Sequence, residues 1–247
     1  MLVYSAVLAT IAGFVNAVAL LILAVPVGNL TGITTQLGMD TAHPWRYESH
    51  VLGAILLGFL VGAAIAGTLL APTAALTGAR PASVLLIEAA LLLLAAIGAE
   101  ETDVKSLIGE IGIELTAVQA LLAAAALGLQ NGLTSSFRGM SVRTTHFTGT
   151  VTDLGLMLGR SRAHGIDKWK AAILTTTLLL FLAGGVAGIV AGARFGGYAL
   201  LVPAATCVAV AAANVVKSAR RRDAAGSGPG PADAAPGRLA PLRQDRA

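Results

Sequence analysis

Long apolar runs separated by short polar clusters organise this chain. Residues 4–27, 51–71, 83–99, 116–136, 171–193 and 198–216 are dominated by Gly, Ala, Leu and Val. A helix needs roughly 20 apolar residues to cross a hydrocarbon core of about 30 Å, because in lipid each backbone amide must find its partner within its own segment. The pattern predicts an all-α membrane protein of about six transmembrane helices, with the third span the shortest. The first run lacks a basic start and several runs follow it, so it reads as a retained span and not as a secretory signal.

Two further apolar segments, residues 30–38 and 147–158, are too short to cross comfortably, and they carry an internal repeat. Thr31-Gly32-x-x-Thr35-x-Leu37-Gly38 returns as Thr148-Gly149-x-x-Thr152-x-Leu154-Gly155. A GxxN precedes each copy, Gly13 to Asn16 and Gly128 to Asn131, and a glycine-spaced span follows each, with Gly58 and Gly62 or with Gly184, Gly188 and Gly192. The chain divides accordingly into a first transmembrane repeat (1–110), a second (111–217) and a disordered basic cytoplasmic tail (218–247), whose Ala, Pro, Gly and Arg cannot build a core. Three spans per half make these two inverted three-span repeats, each with a short TG-containing re-entrant or broken segment. Were both short segments to cross, there would be eight spans and the repeats would be parallel.

Charge sets the expected orientation. Arg80, Arg160, Arg162, Lys168 and Lys170, with Lys217, Arg220, Arg221 and Arg222 after the last span, fall on one side, against Arg46, Lys105 and Arg194 on the other. By the positive-inside bias the first side is cytoplasmic, which places a multi-pass protein in the cell inner (plasma) membrane with both termini inside. The acidic hinge with Glu100, Glu101, Asp103, Glu110 and Glu114 then faces outward. The basic clusters are read as membrane anchors, and no nucleic-acid partner is expected. The lone Cys207 lies within an apolar run and cannot form a disulfide within one chain.

The signatures AGFVNA near the start, the TG segment after it, then LGLQN and TTHFTGTVTDLG in the second half, resemble the YoaK family of bacterial multi-pass membrane proteins over residues 1 to 217. The resemblance implies a multi-pass helical fold and no substrate, since the function of that family is unknown. Where its first motif is typically G-x-x-D, this chain has Asn16, so a proton-binding carboxylate is not carried over to that position.

Transporters built from inverted repeats place their site where paired helices break near the midplane. Here Thr31, Gly32, Thr35, Thr148, Gly149 and Thr152 are the substrate-binding candidates, since helix-start amides beside hydroxyls suit an anionic or polar solute. Close helix packing through small residues explains the same pattern equally well. Asn16, Gln130 and Asn131 lie inside apolar spans and need polar partners, either the solute or another helix. Glu88 and Asp153 are candidates for proton coupling, because an unpaired carboxylate is costly in a membrane; the alternative is a neutral or paired structural acid. Arg138, Arg143 and His146 are either cytoplasmic anchors or the lining of an inner mouth.

No catalytic or metal-binding spacing occurs, and no cofactor is expected. The expected function is a secondary transporter or permease for a small polar or anionic solute, and not an enzyme; the alternative is a non-transporting membrane scaffold, accessory or sensor subunit. Beyond the lipid bilayer and a solute, a homodimer is compatible with six spans but not required by them. In a Cys207→Ser background, single cysteines at Ala42 and Ala163 should label oppositely with a membrane-impermeant thiol reagent in intact cells. The same answer at both would make the repeats parallel.

Overall fold

The computed structural model describes residues 2–42, 49–71, 77–100, 114–136 and 144–226. Among them the regular structure is entirely helical: α1 (Leu2–Leu23), α2 (Leu30–Ala42), α3 (Ser49–Leu70), α4 (Ala79–Glu100), α5 (Leu115–Ser135), α6 (Phe147–His164), α7 (Lys168–Phe195), a 3-10 turn (Gly196–Leu200) and α8 (Leu201–Gly226). Local chemistry sets several of the ends. After α1, Ala24 adopts φ 58° and Pro26 cannot prolong the helix. Gly165 and Gly196, at φ 71° and 56°, end α6 and α7, in a left-handed region that costs glycine little. The Asp167 carboxylate accepts from the Lys170 amide at 3.0 Å and caps α7. Pro81 and Pro203 sit in the first turns of α4 and α8, where an absent N–H leaves no bond broken.

Five apolar stretches are long enough to cross a bilayer: Val3–Leu23, Ser49–Leu70, Ala79–Gly98, Leu115–Ser135 and the 54-residue Lys168–Arg221, which the structure divides into α7, the 3-10 turn and α8. Their outer faces are greasy, with Leu57, Leu60, Leu94, Leu179, Leu182, Val186 and Val202 exposed, while Glu88, Gln119, Gln130, Asn131, Thr134 and Asn214 are buried. Polar groups inside and large apolar groups outside are the arrangement for a surface that meets lipid tails, not water. The chain is a multi-pass helical membrane protein.

The structure departs from the expected elements in three places. The TG segments are continuous helices of 13 and 18 residues, longer than the apolar runs that announced them, because polar residues up to Ala42 and His164 extend the helices beyond their apolar part. The third span starts at Ala79, and the last helix continues past residue 217 to Gly226. Residues 101–113 of the acidic hinge, Arg138, Arg143 and the tail from residue 227 lie outside the described residues.

Two parallel helix pairs form the most extensive contacts: α1 with α7, and α3 with α5. Glycines bring the backbones together. A Cβ at Gly13 would overlap the Phe181 carbonyl, one at Gly184 the Thr10 carbonyl and one at Gly188 the Phe14 carbonyl. Likewise Gly58 abuts the Leu121 carbonyl, Gly62 that of Ala125 and Gly128 that of Phe59. Both residue series rise together, so each pair runs in one direction. α4 lies antiparallel to α8, with Gly78 beside Ser218 at one end and Glu88 reaching Cys207 further along. Gln130 of the α5 core donates to the Leu8 carbonyl of α1 and ties the two pairs.

Gly62→Ala should lower stability by about 1–3 kcal/mol, because a methyl there meets backbone that cannot move aside alone. Gly53→Ala and Gly67→Ala, where nothing lies within 4 Å of an added Cβ, should be neutral or stabilising by up to about 1 kcal/mol from helix propensity. Unfolding of the purified variants in detergent separates the two outcomes, and equal effects at all three positions would contradict the close-contact account.

Candidate functional site

The starts of α2 and α6 face each other across a cavity of about 350 Å³, lined from the α2 side by Gly28, Asn29 and Thr31 and from the α6 side by Thr145, His146 and Thr148. Phe59 and Ala63 of α3 and Asn131, Gly132 and Ser135 of α5 complete the wall. From the cavity α2 and α6, of 13 and 18 residues, run apart. α2 leads to the end of the bundle where α3 and α5 begin, marked by the His50–Glu114 contact, and α6 leads to the opposite end, where α7 begins.

Asparagines hold the chain in place before each of these helices. The Asn16 side-chain oxygen accepts from the Gly28 amide at 2.8 Å, drawing the α1–α2 connection back along α1. The Asn131 side-chain oxygen accepts from the Thr145 hydroxyl at 3.3 Å, while its amide donates to the Leu127 carbonyl at 2.9 Å. Gly28 and Thr145 are adjacent, since a Cβ on the glycine would stand 3.4 Å from the Thr145 methyl. Asn29 then caps α2 by accepting from the Gly32 amide at 3.2 Å.

Gly32 and Gly149 serve the same local need. A Cβ on Gly32 would come within 2.7 Å of the Asn29 amide, and one on Gly149 within 2.7 Å of the His146 ring. These glycines leave room for the residue that opens each helix. Thr31, Thr148 and Asn131 line the cavity, whereas Thr35 and Thr152 turn their hydroxyls onto the carbonyls of Thr31 and Thr148. Asn16 acts through Gly28, and Gln130 is committed to Leu8.

The two acids occupy different surroundings. Asp153 pairs with Lys170 at 2.9 Å, with both side chains about half exposed, so a surface partner accounts for it. Glu88 is fully buried on α4, which packs against α5 and α8, and is not part of the cavity wall. Asn29, His146 and Ser135 were not among the substrate-binding candidates. The signal for the first two was their place three residues before Gly32 and Gly149, the position from which a side chain meets a helix's first turn.

The apolar helical spans define the chain as a polytopic α-helical membrane protein. Residues 4–213 match the family described as "Protein of unknown function (DUF1275)", and the chain belongs to that family. No curated protein and no solved structure matches it.

Asn16→Ala should cost about 0.5–1.5 kcal/mol by removing the hydrogen bond to the part-buried Gly28 amide. Asp153→Asn should change stability by less than about 0.5 kcal/mol, as expected of an exposed pair. Unfolding measured on both variants tests the contrast, and a larger loss for Asp153→Asn would show that this acid is more than a surface partner.

Proposed function

We propose that the cavity between the starts of α2 and α6 is the solute site of a small secondary transporter or permease for a small polar or anionic solute. The observation that carries this reading is the convergence of two helix starts on one cavity from opposite ends of the bundle. First-turn amides of both helices favour negative charge or a strong acceptor, and Thr31, Thr148, Asn131 and His146 offer side-chain partners. Among the described lining residues no acid opposes an anion.

In this reading α1, α3, α4, α5, α7 and α8 are six spans, arranged as two inverted three-span repeats with α2 and α6 as their re-entrant half-helices. The contacts support it residue by residue: Gly13 on Phe181 matches Gly128 on Phe59, Gly184 on Thr10 matches Gly62 on Ala125, and Asn16 with Gly28 matches Asn131 with Thr145. Arg80, Lys168, Lys170, Lys217, Arg220 and Arg221 gather at the end where α1 begins, which supports a cytoplasmic reading of that end by the positive-inside bias. The resemblance to the YoaK proteins agrees with this layout and supplies no substrate. The scaffold alternative draws less support, because Gly13, Gly58, Gly62, Gly128, Gly184 and Gly188 already meet neighbouring helices of the same chain.

Screening the purified protein against small anions and neutral polar solutes should reveal one that stabilises it, by about 2.7 kcal/mol at a hundredfold excess over its dissociation constant. Thr31→Val and Thr148→Val should weaken that binding about tenfold or more, through loss of hydroxyl contacts to a charged or polar ligand, without altering the unliganded protein. Stabilisation by no solute across the panel, or binding indifferent to both variants, would remove the cavity from consideration as a transport site.

A further inference from the structure

We infer that Glu88 is a proton-binding site inside the junction of α4 and α8, separate from the cavity. Its side chain has no exposure, and neither carboxyl oxygen accepts a bond from any nitrogen or oxygen donor among the described residues. The polar group that reaches it is the buried thiol of Cys207 on α8. Tyr4 of α1 lies within electrostatic range of both, and its phenol oxygen accepts from the Asn214 amide at 3.3 Å. These residues close the junction with polar groups that carry no positive charge.

The elements around Glu88 supply no counterion. Tyr4 is the one titratable residue of α1, α5 has neither acid nor base along its length, α3 brings only His50 in its first turn, and the 3-10 turn brings only Tyr198, which is 41% exposed. On α8 the first cation is Lys217, ten positions beyond Cys207 and roughly 15 Å away along the helix. Arg80 of α4 is eight positions from Glu88, roughly 12 Å. An ionised carboxylate with no partner inside a bilayer is far more costly than a neutral acid.

Glu88 therefore carries its proton while the junction is closed. Where water reaches the junction, the O–H bond breaks, the proton passes to water and the carboxylate is hydrated; loss of that water reverses each step. The junction holds this proton whether or not the cavity carries a solute. Failure of this assignment leaves solute binding at Thr31 and Thr148 untouched, and the reverse also holds.

The test is infrared difference spectroscopy on the full chain in lipid nanodiscs, wild type against Glu88→Gln, at neutral pH in H2O and D2O. The wild type should show the carbonyl stretch of a protonated carboxylic acid, absent from Glu88→Gln, and its deuterium shift should lag behind exchange at the surface. Glu88→Gln, a neutral mimic of the acid, should keep the wild-type unfolding midpoint. Absence of the band from the wild type would mean an ionised Glu88 and overturn the assignment, as would an immediate deuterium shift. Should Glu88→Gln not accumulate, Cys207→Ala provides the second reading: the band should persist and move in frequency, and a band that is missing or unmoved counts against the site.

Discussion

Backbone-to-backbone contact between α1 and α7, and between α3 and α5, is the constraint on which the rest of the molecule depends. In lipid there is no hydrophobic gain in bringing two greasy helices together, so association rests on close packing and on polar partners. Gly13, Gly184 and Gly188 on one pair, and Gly58, Gly62 and Gly128 on the other, remove the side chains that would hold the helices apart. Each pair joins one helix from each half of the chain. The halves are thereby interlocked, and the large apolar side chains are left to the outer surface.

That interlocking brings the polar elements to one place. Asn16 and Asn131 lie three residues after Gly13 and Gly128, so the glycines that seat α1 and α5 also fix the depth of both asparagines. Each asparagine holds the segment that precedes α2 or α6, at Gly28 or at Thr145. The cavity follows from this placement, since two helices that start side by side and run apart leave unpaired first-turn amides around a common space.

Much was legible from residue patterns, because a bilayer imposes simple rules. Span positions could be read from apolar length, and the TG segments from being too short to cross. Thr31, Thr148 and Asn131, read as binding candidates from their type and position, line the cavity, and Glu88 is buried. Packing and binding readings of the glycines could not be separated by sequence, and the structure divides them: Gly58, Gly62, Gly184 and Gly188 meet neighbouring backbones, while Gly32 and Gly149 make room for Asn29 and His146.

The sequence by itself determined which stretches are apolar and long enough to lie in lipid, since that depends on local length and hydropathy. Only the tertiary structure decided which polar groups share a site. Thr35 and Thr152 resemble Thr31 and Thr148 in sequence, yet their hydroxyls bond back to their own helices. Glu88 and Asp153 are both acids in apolar surroundings by sequence, yet one is sealed beside Cys207 and the other meets Lys170 at the surface. The direction in which a helix turns its side chains, and the neighbour it meets there, are set by contacts between residues far apart in the chain, which local pattern does not encode.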